Sequence, residues 1–402
     1  MNLQEVIRNA AAIRLRQKLQ SEGAEGDKIF PPTFSGGTYC WEQRRIGESS
    51  VPCVLLDSVA AQANRFEEAL ADAVTGQNLA LPRFIVRFDD DLADIGEIST
   101  LAAPHRVFDA ILRDSALDGT PFFKTPTYRA LTGANVRNAT ELFARSPTAL
   151  LFGCWDSTGA AGGLGNKFPR AITSEIIGIN AEWGTTQGGV RQDPLGISAE
   201  VEIAIADDGD WSMVGKSGAA KKERAKGTRP SEINHGNVLV KVEQGTWERV
   251  VGDEVLSQKL PLKGGVTVDY ALQITVLSLT ALRRLRFPVN AVTSDSADRA
   301  AQAVLAALGL VAITQRREQG YWLRSRCALV AQGRQELEIV HADGSSEPLA
   351  LSSAEALALY QQAVAEAQAA GLPWYPAPVQ LAPQPKLIEL VRKSREIQSL
   401  GA

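Results

Sequence analysis

Blocks of apolar residues alternate with charged and glycine-rich stretches along the chain, and their spacing predicts its elements. The first twenty residues, MNLQEVIRNAAAIRLRQKLQ, carry charges throughout an amphipathic pattern and predict an N-terminal helix. A Gly/Pro-broken segment, IFPPTFSGGTYC, follows. The apolar run Val51 to Leu56, bounded by Ser and Asp, then predicts a buried strand. Asp57 or Ser58 can cap the helix that comes next, in which Val59, Ala63, Phe66 and Leu70 recur at helical spacing as the buried stripe. Asn64 and Arg65 fall off that stripe.

The acidic FDDDLADIGE (88–97) reads as a solvated loop, and PHRVFDAILRDS as a helix with Pro104 in its first turn. TALLFGCWDS (148–157) is short, apolar and aromatic and predicts a central strand, which empties into the glycine-rich TGAAGGLGNK and then FPRAITSEIIG. GISAEVEIAIA (196–206) is a further strand candidate. Beyond residue 237 come a strongly apolar segment (VTVDYALQITVLSLTALRRLRFP), an Ala-rich helix (SADRAAQAVLAALG), a strand (YWLRSRCALV), a second Ala-rich helix (SSAEALALYQQAVAEAQAAG) and a polar tail. No internal repeat of fixed period is present. The interleaving of strands and helices gives an α/β or α+β class.

Charge changes this picture at one place. The chain has 402 residues, 45% hydrophobic and 22% charged, with a net charge of −4, so it has ample material for a core and no overall basic excess. Yet Lys216, Lys221, Lys222, Arg224, Lys226 and Arg229 lie within fourteen residues with a single acid, Glu223, a local +5 that leaves −9 on the rest. The surrounding segment 207–237 has few large apolar residues and cannot bury enough surface to pack by itself, so it is expected to be mobile until a partner orders it. One-sided charge, glycine and low hydrophobicity together point to an arm that folds onto phosphates. A solvated surface loop is the alternative.

Candidate chemistry is otherwise sparse. GGLGNKF lacks the GK-[ST] of a phosphate-binding P-loop and the spacing of a dinucleotide fingerprint, so no cofactor is implied. What remains is a glycine loop with Trp155, Lys167 and Arg170 nearby, where bare backbone lets a phosphate chain approach and the two cations neutralise it. An ordinary strand-to-helix turn would show the same composition. The histidines His105, His235 and His341 form no paired motif and read as structural, except that His235, beside the basic island, is placed to stack on a nucleotide. Cys40, Cys53, Cys154 and Cys327 have no metal-site spacing, as expected of a reduced, cytoplasmic protein with buried thiols. No run of 18 apolar residues is free of charge, so no membrane span is expected. Asp57 and Asp156 sit at the ends of predicted strands, but each also fits a cap or turn, and the sequence offers no convincing catalytic set.

The segments VLLDSVAAQANRFEEAL, PHRVFDAILRDS, NATELFARSPTALLFGCWDSTGAAGGLGNKFPRAITSEIIG, RQDPLGI, PSEINHGN and LTALRRLRFP, in that order, resemble the backbone protein of type I-G (formerly I-U) CRISPR Cascade, a member of the RAMP superfamily in the Cas-seven group. The resemblance runs roughly from Pro31 to Pro288. It implies an α+β fold: a modified RRM-like (ferredoxin-like) palm with helical insertions, formed by 1–206 and 238–402, and a flexible basic thumb at 207–237. It implies copies stacked along a CRISPR guide RNA, with target DNA recognised through the guide, other Cascade subunits as partners, and no membrane. By the same resemblance Asn64, Arg65, Arg106, Arg113, Lys167 and Arg170 contact RNA, and His235 and Asn237 sit at the thumb base. Type III relatives cut RNA with a loop aspartate; the type I family is considered non-cleaving, so no activity is carried over to Asp156. The competing expectation is a metal-dependent ribonuclease using Asp57 or Asp156.

Overall fold

From Ala12 to Lys18 the chain alternates strictly: Ile13, Leu15 and Gln17 are buried, while Arg14, Arg16 and Lys18 face outward. That is the period of a strand, not of a helix. A computed structural model of the protein accordingly ends the first helix, α1, after Leu3–Asn9 and continues as strand β1, Ala10–Ser21, correcting the expectation of one helix over the first twenty residues. The structure describes residues 2–76, 79–156, 167–184, 190–206, 209–214, 228–239, 244–251, 254–261 and 264–400; for Lys167, Leu239, 244–251, 254–261 and Leu400 only the backbone is described.

The chain divides into two compact units: residues 1–32, 39–182 and 266–388, and residues 33–38, 183–265 and 389–402. In the first, β1 joins β2 (Trp41–Ile46), β3 (Ser49–Asp57), β4 (Ile172–Ile179), β5 (Tyr270–Ser278), β6 (Tyr321–Arg324), β7 (Cys327–Ala331), β8 (Leu337–His341) and β9 (Ser346–Leu349) in a nine-stranded sheet. The order is β2-β3-β4-β5-β1-β7-β6. β8 lies along the first half of β1 and β9 along β8, and all these pairings are antiparallel. The register sets Arg16 opposite Ile274 and Ile274 opposite Glu175, one row across the face that carries the exposed cations.

Helices cover the other face. α2 (Val59–Thr75) starts at Ser58, whose hydroxyl accepts from the Ala61 N–H at 3.2 Å, so Ser58 rather than Asp57 is the cap. It buries Ala63, Phe66 and Leu70 as its pattern predicts. It also buries Gln62, which sits in a polar network inside the core: Gln62 Oε1 accepts from Ser174 at 2.9 Å and from Gln273 at 3.1 Å, and Gln62 Nε2 donates to Asp57 at 2.6 Å. α3 (Asp295–Glu318) is apolar on all sides between Ala303 and Ile313 because it runs through the core. By length and composition alone it would cross a membrane, yet 94% of its most apolar window is buried within the fold. Gly309 lets it approach β5: a β-carbon there would lie 3.1 Å from a Leu277 methyl. α4 (Ser353–Ala369) opens with a reciprocal capping box between Ser352 and Glu355. A smaller five-stranded sheet (Phe84–Arg87, Glu97–Ser99, Ser115–Leu117, Thr120–Pro121 and Val379–Pro383) packs around Phe84, Phe122 and Tyr128. The result is an α+β fold consistent with an RRM-like palm carrying helical insertions.

Several elements depart from the pattern reading. TALLFGCWDS is not a central strand: Thr148–Phe152 is a buried helix, Gly153 turns the chain at φ +79°, and Cys154–Trp155 alone is extended. A short apolar run carries no periodicity that separates a buried helix from a buried strand. PHRVFDAILRDS breaks at Arg106 (φ +54°) into a 3-10 turn, Arg106–Phe108, and a single helical turn, Ala110–Arg113, capped by Asp109. The acidic segment is not all loop, since Glu97–Ser99 is a strand and buried Phe88 and Leu92 pin the turn between them. YWLRSRCALV is a hairpin rather than one strand.

The second unit holds short antiparallel pairs: Val190–Arg191 with Val238–Leu239, Ile203–Ile205 with Trp211–Met213, and the hairpin Gln244–Val251 with Glu254–Pro261. Only Ile203–Ile205 of the strand expected over 196–206 is extended in a ladder. The segment 207–237 belongs to this unit.

Candidate nucleic-acid interface

The best-formed candidate surface in the first unit is built around Arg106. A left-handed backbone is costly for a residue with a β-carbon. At Arg106 the conformation drives the guanidinium inward, where Nε and Nη2 donate to the two Glu67 oxygens, each at 2.7 Å, and Nη1 donates to the Gly153 carbonyl at 3.0 Å. Arg106 and Glu67 are both buried, and the guanidinium lies over the Phe152 ring, which stacks on Phe66 of α2. Burial pushes the Glu67 carboxyl up to about 7, against the opposing pull of Arg106 and, more weakly, Arg170.

That anchor fixes Gly153, and glycine is required there. Besides its positive φ, an added β-carbon would lie 2.9 Å from the Phe168 carbonyl oxygen. The next two residues then pair with the returning strand in the register Cys154↔Phe168 and Trp155↔Lys167. Alternation turns Cys154 inward, where burial raises its thiol to about 12, and turns the Trp155 ring outward, 45% exposed. Pro104, His105, Arg106, Trp155, Phe168 and Arg170 line a cleft of about 570 Å³. Its rim carries an exposed indole, an exposed imidazole and the exposed Arg170, which has no ion pair among the described residues. An aromatic face for a base beside a cation for a phosphate is the pairing that single-stranded nucleic acids use.

The other sequence candidates fall into different places. Asn64 is exposed on α2. Arg65 is tied down: Nε and Nη2 donate to Asp57 at 2.8 and 3.3 Å, and the guanidinium also donates to the Leu323 and Trp322 carbonyls. Arg106 is the floor of the cleft rather than its rim. Arg113 donates to Asp114, which also accepts from Lys386 at 2.8 Å, and these cations hold the Asp114 carboxyl below the ordinary range. Lys167 is placed by its backbone at the cleft edge. In the second unit, Arg229 precedes a 3-10 turn, the half-buried His235 meets the Trp211 ring edge-on at 6.1 Å, and Asn237 Oδ1 accepts from the Asp193 N–H at 2.8 Å. Lys216, Lys221, Lys222, Arg224 and Lys226, and the glycine loop at 158–166, lie outside the described residues.

The two carboxylates considered for metal chemistry are both buried. Asp57 accepts from Gln62, Arg65 and Arg324, while Asp156 lies close enough to Tyr128 to add its charge to the burial that raises that hydroxyl's pKa. Among the described residues, no three of His, Cys, Asp and Glu converge as a metal site would require. Sequence reasoning missed His105, read as structural; its only signal is its position in PHR, next to the residue that turns the chain inward.

Residues 13–183 match the family model described as CRISPR-associated protein GSU0053, a span that includes α2 and every residue lining the cleft. No curated protein matches the chain. The family match supports a CRISPR-associated protein with a role in CRISPR defence.

Proposed function

We propose that the chain is a non-catalytic, guide-RNA-binding backbone subunit of a type I-G Cascade complex, of the RAMP superfamily and Cas-seven group, acting in the cytoplasm. Copies of it assemble along the CRISPR RNA beside other Cascade subunits and present the guide to target DNA. The observation that carries this reading is the cleft: within the segment matched to a CRISPR-associated family, Trp155, His105 and Arg170 offer a stacking face and a cation with no ion pair among the described residues, around a fixed glycine turn. A subunit that must accept any guide needs contacts of this kind, to phosphate and to base faces rather than base edges. Asp57, its oxygens taken by two arginines and a glutamine, is spoken for as a structural residue, which favours this reading over hydrolysis.

The test is size-exclusion chromatography with absorbance at 260 and 280 nm on protein expressed with and without a CRISPR array. A large RNA-laden species is expected only with the array, and a K167E/R170E variant should remain folded and lose it. A nucleic-acid-free monomer in both cases would overturn the reading.

A further inference from the structure

A second basic cleft in the first unit is built from other elements: the last turn of α1, the LTALRRLRFP segment after β5, and the first turns of α3. We propose that it holds a phosphate-bearing stretch of single-stranded RNA, a contact additional to the Trp155 cleft; naming RNA as the carrier rests on the proposed function.

Four arginines, Arg8, Arg283, Arg286 and Arg299, line this cleft of about 400 Å³ together with Asp295 and Asp298. Local pairing uses up both acids. Asp298 is buried, accepts from the Phe287 N–H at 2.7 Å and pairs with Arg286 at 3.3 Å. Asp295 pairs with Arg299 at 2.9 Å. Arg283 donates through Nη1 to the Ile7 and Ala10 carbonyls at the C-terminal end of α1, whose dipole accounts for only part of one charge. Arg8, exposed, donates among the described residues only to its neighbour Asn9. Two guanidiniums thus face the cleft with no carboxylate partner among the described residues, the complement of a dianion or of two successive phosphodiesters.

The shape argues for a chain rather than an isolated ion. Arg8 and Arg299 also line an adjoining cleft of about 700 Å³, so the two run together as one trough. The second cleft is walled by Asn2, Gln4, Glu5, Gln362 and Glu366; the Gln4 and Gln362 amides donate to Glu366 at 2.8 and 2.9 Å, which leaves their carbonyl oxygens to accept from base amino groups and ribose hydroxyls. Phosphates at the arginine end and bases at the amide end describe a nucleotide lying in the trough.

The experiment measures binding of a short fluorescein-labelled single-stranded RNA to the full chain across a salt series. R8E reverses a charge that does little for the fold. R284E makes the same change in the same motif, at an exposed arginine that does not line the cleft. R8E should weaken binding about tenfold, as for loss of one charge-assisted bond, and flatten the salt slope by roughly 0.7 per phosphate lost. R284E should leave both within about twofold. Equal losses in the two variants, or a loss of self-association with RNA affinity unchanged, would overturn the proposal, the latter in favour of an acidic protein partner. If the wild-type chain binds no RNA, the proposed function fails separately, and calorimetry with inorganic tripolyphosphate decides the cleft: heat with wild type and none with R8E retains an anion site, and no heat with either removes it.

Discussion

Replacing Arg106 with methionine tests the anchor beneath the cleft. Methionine keeps a β-carbon, so the strain of φ +54° is unchanged and the loss is confined to the guanidinium. That loss is two 2.7 Å bonds to Glu67 and one of 3.0 Å to Gly153. Glu67 is 2% exposed, and a carboxylate left there without its cation costs about 3–5 kcal/mol. The cost depends on pH in a definite sense. With Arg106 present, burial already lifts Glu67 from the ordinary 4.5 to about 7, and removing the cation lifts it further. Because the folded pKa lies above the unfolded one, proton uptake favours the folded state at low pH, and that advantage disappears as pH rises through the folded value. In the wild type this single group therefore lowers stability between pH 4.5 and about 7. In R106M the fall is larger and extends higher.

Urea unfolding of both proteins at about pH 8 should show the full 3–5 kcal/mol gap. At about pH 5, where the variant's Glu67 is protonated when folded, roughly 1–3 kcal/mol should remain for the lost hydrogen bonds. A gap that is constant with pH, or wider at the acid end, would refute the assignment of Glu67 as the stranded charge.

Three further changes follow from the same geometry. W155A should weaken single-stranded RNA binding by about 1–3 kcal/mol, the range for one lost base stack, with the unfolding midpoint unmoved; fluorescence anisotropy beside a melting curve separates the two. G153A places a β-carbon 2.9 Å from the Phe168 carbonyl oxygen in a left-handed conformation and should cost roughly 1–3 kcal/mol in a thermal melt while displacing Trp155. D57N leaves Arg65 and Arg324 without their shared carboxylate; both are partly solvated, so a loss of about 1–3 kcal/mol is expected, below the cost of breaking a fully buried pair.

Where a segment's period was long enough to count, the sequence reading and the structure agree. α2 buries Ala63, Phe66 and Leu70 of its expected stripe, with Val59 half-buried at its start, and the second Ala-rich segment is the helix α4. The errors have local causes. In the first twenty residues a seven-residue helix gives way without a break to a strand of alternating Arg and Leu, so charge scattered throughout looked amphipathic although the period had changed from 3.6 to 2. In TALLFGCWDS the positive φ of Gly153 is what ends the helix, and a glycine's sign of φ is not written in its neighbours. The site was half legible. Trp155 and Arg170 stand out as an aromatic and a cation flanking a glycine loop, whereas His105 enters the cleft only through the inward turn at Arg106, forty-seven residues from the carbonyl it holds.

The same residues show why counting cations misjudges an RNA face in an acidic chain. Arg65, Arg106 and Arg113 were natural candidates because they are arginines on matched motifs, yet each has a carboxylate within hydrogen-bond distance: Asp57, Glu67 and Asp114. A phosphate arriving at such a guanidinium must compete with an ion pair already made, and where the pair is buried it must also enter a dry site. Arg170, Arg8, Arg16 and Lys18 are exposed and have no carboxylate partner among the described residues, so each can take a phosphate at the cost of shedding water and counterions alone. A net charge of −4 is then compatible with nucleic-acid binding, because much of the acid is consumed by structural arginines. What decides affinity is the number of guanidiniums left over after internal pairing, and that number is set by the fold.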